Sequence, residues 1–165
     1  MTMPARSRTL LAIALLCFGA VGVALVTQHV LDMQPCPWCV LQRLIFVLIG
    51  GVALTGLVWQ SRLGRRLLPL LLLALAGAGV AAALWQHFVA AASASCNLTL
   101  ADRIVSGLQL DALLPPVFQA TANCAEAAID LFGIAYEFWS LALFLVVETM
   151  VVWLLVQERS TPAVN

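Results

Sequence analysis

The sequence predicts an all-α membrane protein, an antiparallel four-helix transmembrane bundle, and three observations carry that expectation. Of its 165 residues, 63% are hydrophobic and only 10% are charged, against about half and about a quarter in a soluble domain. Four stretches each hold about 20 apolar residues, the length that crosses a hydrocarbon core. The basic residues, all arginine, are distributed unevenly between the two ends of those stretches.

The spans are expected at about Leu10–Val30, Val40–Trp59, Leu67–Ala92 and Ile134–Val156, with outer loops at about 31–39 and 93–133, all within one integral membrane domain, 1–165. Charge enters them only at Arg43, Glu148 and, near an edge, Glu137. Trp38, Trp59, Trp85, Trp139 and Trp153 fall near span ends, as an interfacial aromatic belt requires. The first span is too long for a signal peptide and lacks a small-residue cleavage site, so it is expected to remain attached.

Orientation follows from the arginines. Arg6 and Arg8 precede span one, Arg62, Arg65 and Arg66 lie between spans two and three, and Arg159 follows span four. An even number of spans puts these on one side, which the positive-inside rule makes cytoplasmic, together with both termini. A formal net charge of zero gives no sign of nucleic-acid binding.

The second outer loop is expected to hold a short surface-lying helix. Thr99 followed by Asp102 reads as its cap, and Leu100, Ile104, Val105 and Leu108 as an apolar stripe for the membrane surface. Pro115-Pro116 should break it, and a looser stretch should carry Cys124 back to span four. In span three, Ala74, Ala78 and Ala82 recur at four-residue spacing, a pattern that lets membrane helices approach closely.

Five cysteines carry the chemical signal. Cys17 is alone within span one and reads as a small hydrophobe. Cys36 and Cys39 lie in the first outer loop, Cys96 and Cys124 in the second, on the face where disulfides persist. Bracing stays open as an alternative for the second pair alone, since loop-closing bridges are common outside the cytoplasm. It fails for Cys36 and Cys39, because a bridge across two residues closes almost no loop. Redox exchange is the better reading. A zinc site or a membrane metal-handling protein using all four outer thiols is the alternative.

Position sharpens the redox reading. Cys39 is expected at the start of span two, where free N–H groups and the positive helix end stabilise a thiolate. Arg43 follows one turn later on the same face, and an arginine inside a membrane helix has a functional default reading. Its expected role is in the chemistry and not in holding the fold. His87, Gln86 and His29 are candidate hydrogen-bond partners at the outer interface. Glu148, near the inner end of span four, is expected to pack.

The stretch Gln28-His29-Val30-Leu31, then Pro35-Cys36-Pro37-Trp38-Cys39-Val40-Leu41-Gln42-Arg43, with Asn123-Cys124-Ala125-Glu126 before span four, resembles the disulfide bond formation protein B (DsbB) family. The resemblance implies a bacterial inner-membrane thiol oxidase with its cysteines in the periplasm. It implies that a DsbA-like thioredoxin-fold partner attacks a Cys96–Cys124 bridge at Cys96. Cys124 then attacks Cys36, and Cys39 passes the electrons to a quinone, ubiquinone or menaquinone. It also implies quinone contacts from Arg43 and His87. The chain departs from the family's pattern in two places: no proline precedes Trp139, and Trp38 stands where leucine or valine is more usual.

Overall fold

The computed structural model describes residues 4–92, 99–127 and 130–160. Its element order is α1 (Ala5–Val30), α2 (Pro37–Val58), α3 (Arg62–Trp85) with a π-helical extension (Gln86–Ala90), and α4 (Leu100–Gly107). There follow α5 (Leu110–Leu113), α6 (Pro115–Phe118), a hairpin of β1 (Asp130–Leu131) and β2 (Ile134–Ala135), and α7 (Tyr136–Ser160). Four of these helices are long and apolar enough to cross a membrane, and the chain is an all-α four-helix membrane bundle.

Two of the long helices, α2 and α3, start where a side chain satisfies an orphan N–H group. Pro37 takes the first position of α2, where its missing N–H costs nothing, and Cys36 caps it through its sulfur. Ser61 caps α3 by accepting from the Gly64 N–H. As a result, α2 begins three residues before Val40 and takes in Trp38 and Cys39, while α3 takes in all three arginines of the expected loop.

Span four also starts differently. Ile134 and Ala135 pair with Leu131 and Asp130 in a two-residue antiparallel ladder, so the helix begins at Tyr136. Phe132 and Gly133 turn the hairpin with φ of +57° and +77°. Two successive positive φ values match the twist of a tight hairpin. Glycine tolerates this freely and phenylalanine only under strain.

The long helices pack in the order α1, α2, α3, α7. The pairs α1–α2, α2–α3 and α3–α7 are extensive, and the closing α1–α7 seam is the slightest. Phe46 stacks on Phe144 with centroids 4.0 Å apart and planes within 2°. Both rings fit because Gly79 faces Phe144, and a Cβ there would overlap the ring. The packing stripe of α3 is thus Leu72, Ala76, Gly79 and Ala83; of the expected stripe only Ala82 is buried, while Ala74 and Ala78 face outward. Stripe residues must follow the seam's own period of about 3.5 residues, which a strict spacing of four leaves after one turn.

The outer loop packs over the start of α2. Thr99 and Asp102 form a reciprocal capping box on α4. Ala101 and Val105 are buried, whereas Leu100, Ile104 and Leu108 stay exposed, available to a lipid surface. Pro115 and Pro116 do not end a helix but begin α6; the breaks fall at Gln109, in the left-handed region, and at Leu114. Trp38 departs from the aromatic belt: it is buried, 6.2 Å from the Trp85 ring, because α2 starts early enough to carry it under the loop. The other four tryptophans are exposed.

A leucine at Gly79 should cost about 1–3 kcal/mol, the usual range for overpacking, because neither stacked ring has room to retreat. Gly77→Ala, which meets nothing within 4 Å, should leave stability near wild type. Thermal unfolding of both variants in one detergent checks the contrast.

Candidate functional site

The opening turn of α2 gathers three sulfurs. Cys36 and Cys39 lie with their Sγ atoms 2.7 Å apart, and the Cys36 thiol also hydrogen-bonds the Cys124 sulfur. The unpaired N–H groups of the helix start point at them. The Cys39 N–H donates to Cys36 Sγ at 3.3 Å, and the Trp38 N–H donates to Cys124. The N–H groups of the helix start therefore serve Cys36 and Cys124, and the Cys36 N–H reaches the Cys39 sulfur as its place in the sequence suggested.

Backbone bonds hold the two loops in register. Thr121 and Ala122 both donate to the Pro35 carbonyl, at 3.0 and 3.3 Å, and the Thr121 hydroxyl donates to Gln34 Oε1 at 2.6 Å. Cys96, expected as the partner of Cys124, lies outside the described residues. Cys17 is fully buried in the bundle core.

Sharing a proton splits the two outer thiols. The hydrogen bond to Cys124, then that to Cys39 and burial, push Cys36 well above the ordinary thiol range. The same bond from Cys36 is the chief cause that pulls Cys124 down, with help from the Trp38 N–H and against burial. In the reduced cluster the shared proton stays with Cys36, and Cys124 is held toward the thiolate, the reactive form of a thiol.

Cys39 sits on the other side of the turn, half-buried. The Gln86 Nε2–H donates to its sulfur at 3.3 Å, and Gln86 in turn accepts from Gln42 at 2.7 Å. Arg43 is 6% exposed and does not snorkel. It donates to Gln28 Oε1 at 2.5 Å, to the Val117 carbonyl at 3.1 Å and to the Ala24 carbonyl at 3.3 Å. Those bonds join α1, α2 and the outer loop, so Arg43 holds the fold as well as lining the site, contrary to expectation. Its removal would strand Gln28 Oε1 and the Val117 carbonyl, each at a cost of about 1–3 kcal/mol where no water replaces it, while the Ala24 carbonyl keeps the Thr27 hydroxyl.

Between α1 and α7, floored by α2, runs a cleft of about 460 Å³. Its walls are largely aliphatic and aromatic, and exposed Leu15, Val23 and Trp139 along its rim face where lipid lies. Cys39, Gln42, Arg43, Gln86 and Glu137 supply its polar lining, with Phe132 and Leu131 of the hairpin at its edge.

His87 is not among the residues that line the cleft. It stands behind Glu137, with Nδ1 2.8 Å from the Glu137 carboxylate. His29 binds the Pro116 carbonyl on the outer surface at 3.3 Å, and Glu148 is half-buried on α7. Sequence reasoning missed Gln42, Tyr136 and Glu137 as lining residues; the charge of Glu137 near a span start was the one available signal. Among the described residues, no group of three or more His, Cys, Asp or Glu is arranged to hold a metal ion.

The geometry invites a titration. Cys36→Ala removes the bond chiefly responsible for lowering Cys124, so the pH midpoint for alkylating Cys124 in the reduced protein should move up. Below that midpoint the thiol is protonated and slow, so at neutral pH Cys124 should react more slowly in the variant. Iodoacetamide labelling across pH, read by mass spectrometry, checks this; an unchanged midpoint would contradict the shared proton.

Comparison with known proteins finds likeness along nearly the whole chain. Residues 6–155 match the family model described as disulfide bond formation protein DsbB. Disulfide bond formation protein B 1 of Pseudomonas savastanoi pv. phaseolicola is 32% identical over 158 residues, covering 94% of this chain and 92% of the relative. Disulfide bond formation protein B of Aromatoleum aromaticum is 33% identical, covering 87% and 88%. Disulfide bond formation protein B 1 of Pseudomonas aeruginosa is 36% identical, covering 85% and 89%. The metal-handling alternative gains no support from any of these.

Proposed function

The chain belongs to the disulfide bond formation protein B family, a family of membrane thiol oxidases, and on that premise we propose a thiol:quinone oxidoreductase that reoxidises a periplasmic DsbA-like thioredoxin-fold protein. It is an inner-membrane protein, a single integral membrane domain in this reading, with both termini cytoplasmic and the four outer cysteines periplasmic. One observation carries the proposal: Cys36 touches Cys39, which faces the cleft, and Cys124, which belongs to the outer loop. A relay between a soluble dithiol and a lipid-borne acceptor needs one sulfur that can exchange with both sides.

In this relay a partner thiolate attacks Cys96 of a Cys96–Cys124 bridge, and Cys124 leaves with the electron pair. Cys124, its thiolate favoured by the Trp38 N–H, attacks Cys36. The Cys36–Cys39 bond breaks, and Cys39 departs as a thiolate facing the cleft, where the Gln86 amide donates to it. Each exchange is a thiolate displacement governed by leaving group and access. The partner's second thiolate displaces Cys96 from the mixed disulfide, and Cys96 displaces Cys36 from Cys124 to restore the bridge. The sum is two partner thiols oxidised to one disulfide, with two electrons held on the Cys36 and Cys39 thiolates and two protons released to water.

The cleft fits a membrane quinone, ubiquinone or menaquinone. Its volume lies in the range of small-molecule sites, about 300–1,000 Å³, its walls suit a flat ring with an apolar tail, and its polar end offers Arg43 and Gln86 as donors. A bound quinone would supply the acceptor for the two electrons and two protons. Arg43 would orient and stabilise its oxygen, and its protein hydrogen bonds fix the guanidinium in place beforehand.

The direct test mixes the purified protein with reduced DsbA-like partner and follows quinone reduction. Cys96→Ser should abolish the covalent complex with a partner lacking its resolving cysteine. Cys39→Ser should still form that complex but transfer no electrons to quinone. Normal complex yield from Cys96→Ser would mean that the partner attacks elsewhere.

Sidedness has its own measurement. Membrane-impermeant thiol labelling of single-cysteine variants should reach Cys124 from the periplasm and positions 61–66 only after the inner membrane is opened.

A further inference from the structure

We propose that Glu137 delivers a proton to the ligand of the cleft and is recharged from the outer surface through His87. The proposal rests on the quinone reading above. Glu137, the second residue of α7, is 4% exposed and lines the cleft. Its Oε1 lies 2.8 Å from Nδ1 of His87, which comes from a different helix, 50 residues away. His87 is 33% exposed and belongs to the π-helical extension of α3, a rare geometry that recurs at functional sites. Phe138 and Phe88 hold its ring, at 4.5 and 4.9 Å.

The pair thus runs from a cleft with largely apolar walls to a partly exposed imidazole. An imidazole can lose a proton at one nitrogen and gain one at the other. With Nδ1 committed to Glu137, Nε2 is left to exchange with the outer phase. A purely structural role explains less. A buried hydrogen-bonded pair gives a helix contact little that well-packed apolar residues would not, and that role gives no reason for the carboxylate to line the cleft.

Proton accounting creates the need. Thiols react as thiolates, so their protons leave to water during the exchanges, whereas forming a quinol takes up two protons inside the cleft. As the Cys36–Cys39 bond re-forms, its two electrons pass to the quinone. Glu137 gives one proton to a quinone oxygen and takes one from His87 Nδ1 as Nε2 takes one from water, and the imidazole returns to its Nδ1–H tautomer before the next turnover. The second quinol proton comes from water by a route that does not pass through this pair. The other ionisable groups lining the cleft are Cys39 and Arg43 of α2 and Tyr136 of α7; the lining from α1 and the hairpin carries none.

The test uses full-length protein in lipid nanodiscs with ubiquinone and reduced partner. Glu137→Gln keeps the shape and a hydrogen-bond acceptor but cannot relay a proton. Loss of one general acid lowers rates by about 100- to 10,000-fold, and with water as a substitute donor a drop of at least tenfold in quinone reduction is expected. The solvent deuterium isotope effect should rise, and proton uptake, followed with an indicator dye, should slow in step. His87→Gln, at a partly exposed position, should show the same pattern more weakly, and Glu137→Asp should recover part of the rate.

Two further readouts should stay within about threefold of wild type: equilibrium affinity for oxidised quinone by tryptophan quenching, and thiol exchange with partner in quinone-free protein. A Glu137→Gln variant with wild-type rate and isotope effect overturns the proposal and leaves the quinone reading standing. So does a rate loss wholly explained by weaker quinone binding. Failure of the wild-type protein to reduce quinone would remove both.

Discussion

At the outer end of α2 a buried guanidinium, two sulfurs and the unpaired N–H groups of a helix start share a space that hydrocarbon and packed side chains close to water. Every polar group there must find its partner inside the protein. The Cys39 and Trp38 amides find sulfur, and Arg43 finds Gln28 and two carbonyls. These obligations pull the second outer loop down onto α2 and place Cys124 beside Cys36. The redox cluster is in this sense the solution of a hydrogen-bonding problem. Relaxing its geometry would leave Gln28 Oε1 and the Val117 carbonyl without the donor that Arg43 supplies.

The same helix explains the cleft. Phe46, one turn beyond Gln42, stacks on Phe144 of α7 against the space that Gly79 leaves open. That three-helix contact locks α2, α3 and α7 together, while α1 leans mainly on α2. The slight α1–α7 seam is what remains, and the cavity occupies it. A tight side and a loose side within one bundle follow from where the small residue and the two rings lie.

Much of this was legible in the chain. Lipid permits only helices or closed barrels, so apolar length alone located four spans, and Thr99 with Asp102 marked α4 because capping is local. The C-x-x-C beside a membrane helix pointed to exchange chemistry for an equally local reason. The rest depends on partners distant in sequence. Arg43 bonds Gln28, Ala24 and Val117 from three separate segments, and His87 meets Glu137 across two helices, so neither pairing leaves a periodic trace. The phase of the α3 stripe was misjudged because alanines occur on both faces, and only Gly79's neighbour distinguishes them. The hairpin escaped notice because Phe132 is a residue that seldom takes a positive φ.

A cavity that opens sideways through Leu15, Val23 and Trp139 is always bathed by acyl chains, which outnumber any minor membrane solute. Apolar contact that would drive binding from water gains nothing over lipid, since tails are as apolar as the walls. Occupancy therefore depends on mole fraction within the bilayer and on lateral diffusion, not on aqueous solubility. Preference for one solute over the surrounding chains must come almost wholly from the few donors at the closed end, and every variant that blunts them should let ordinary lipid compete.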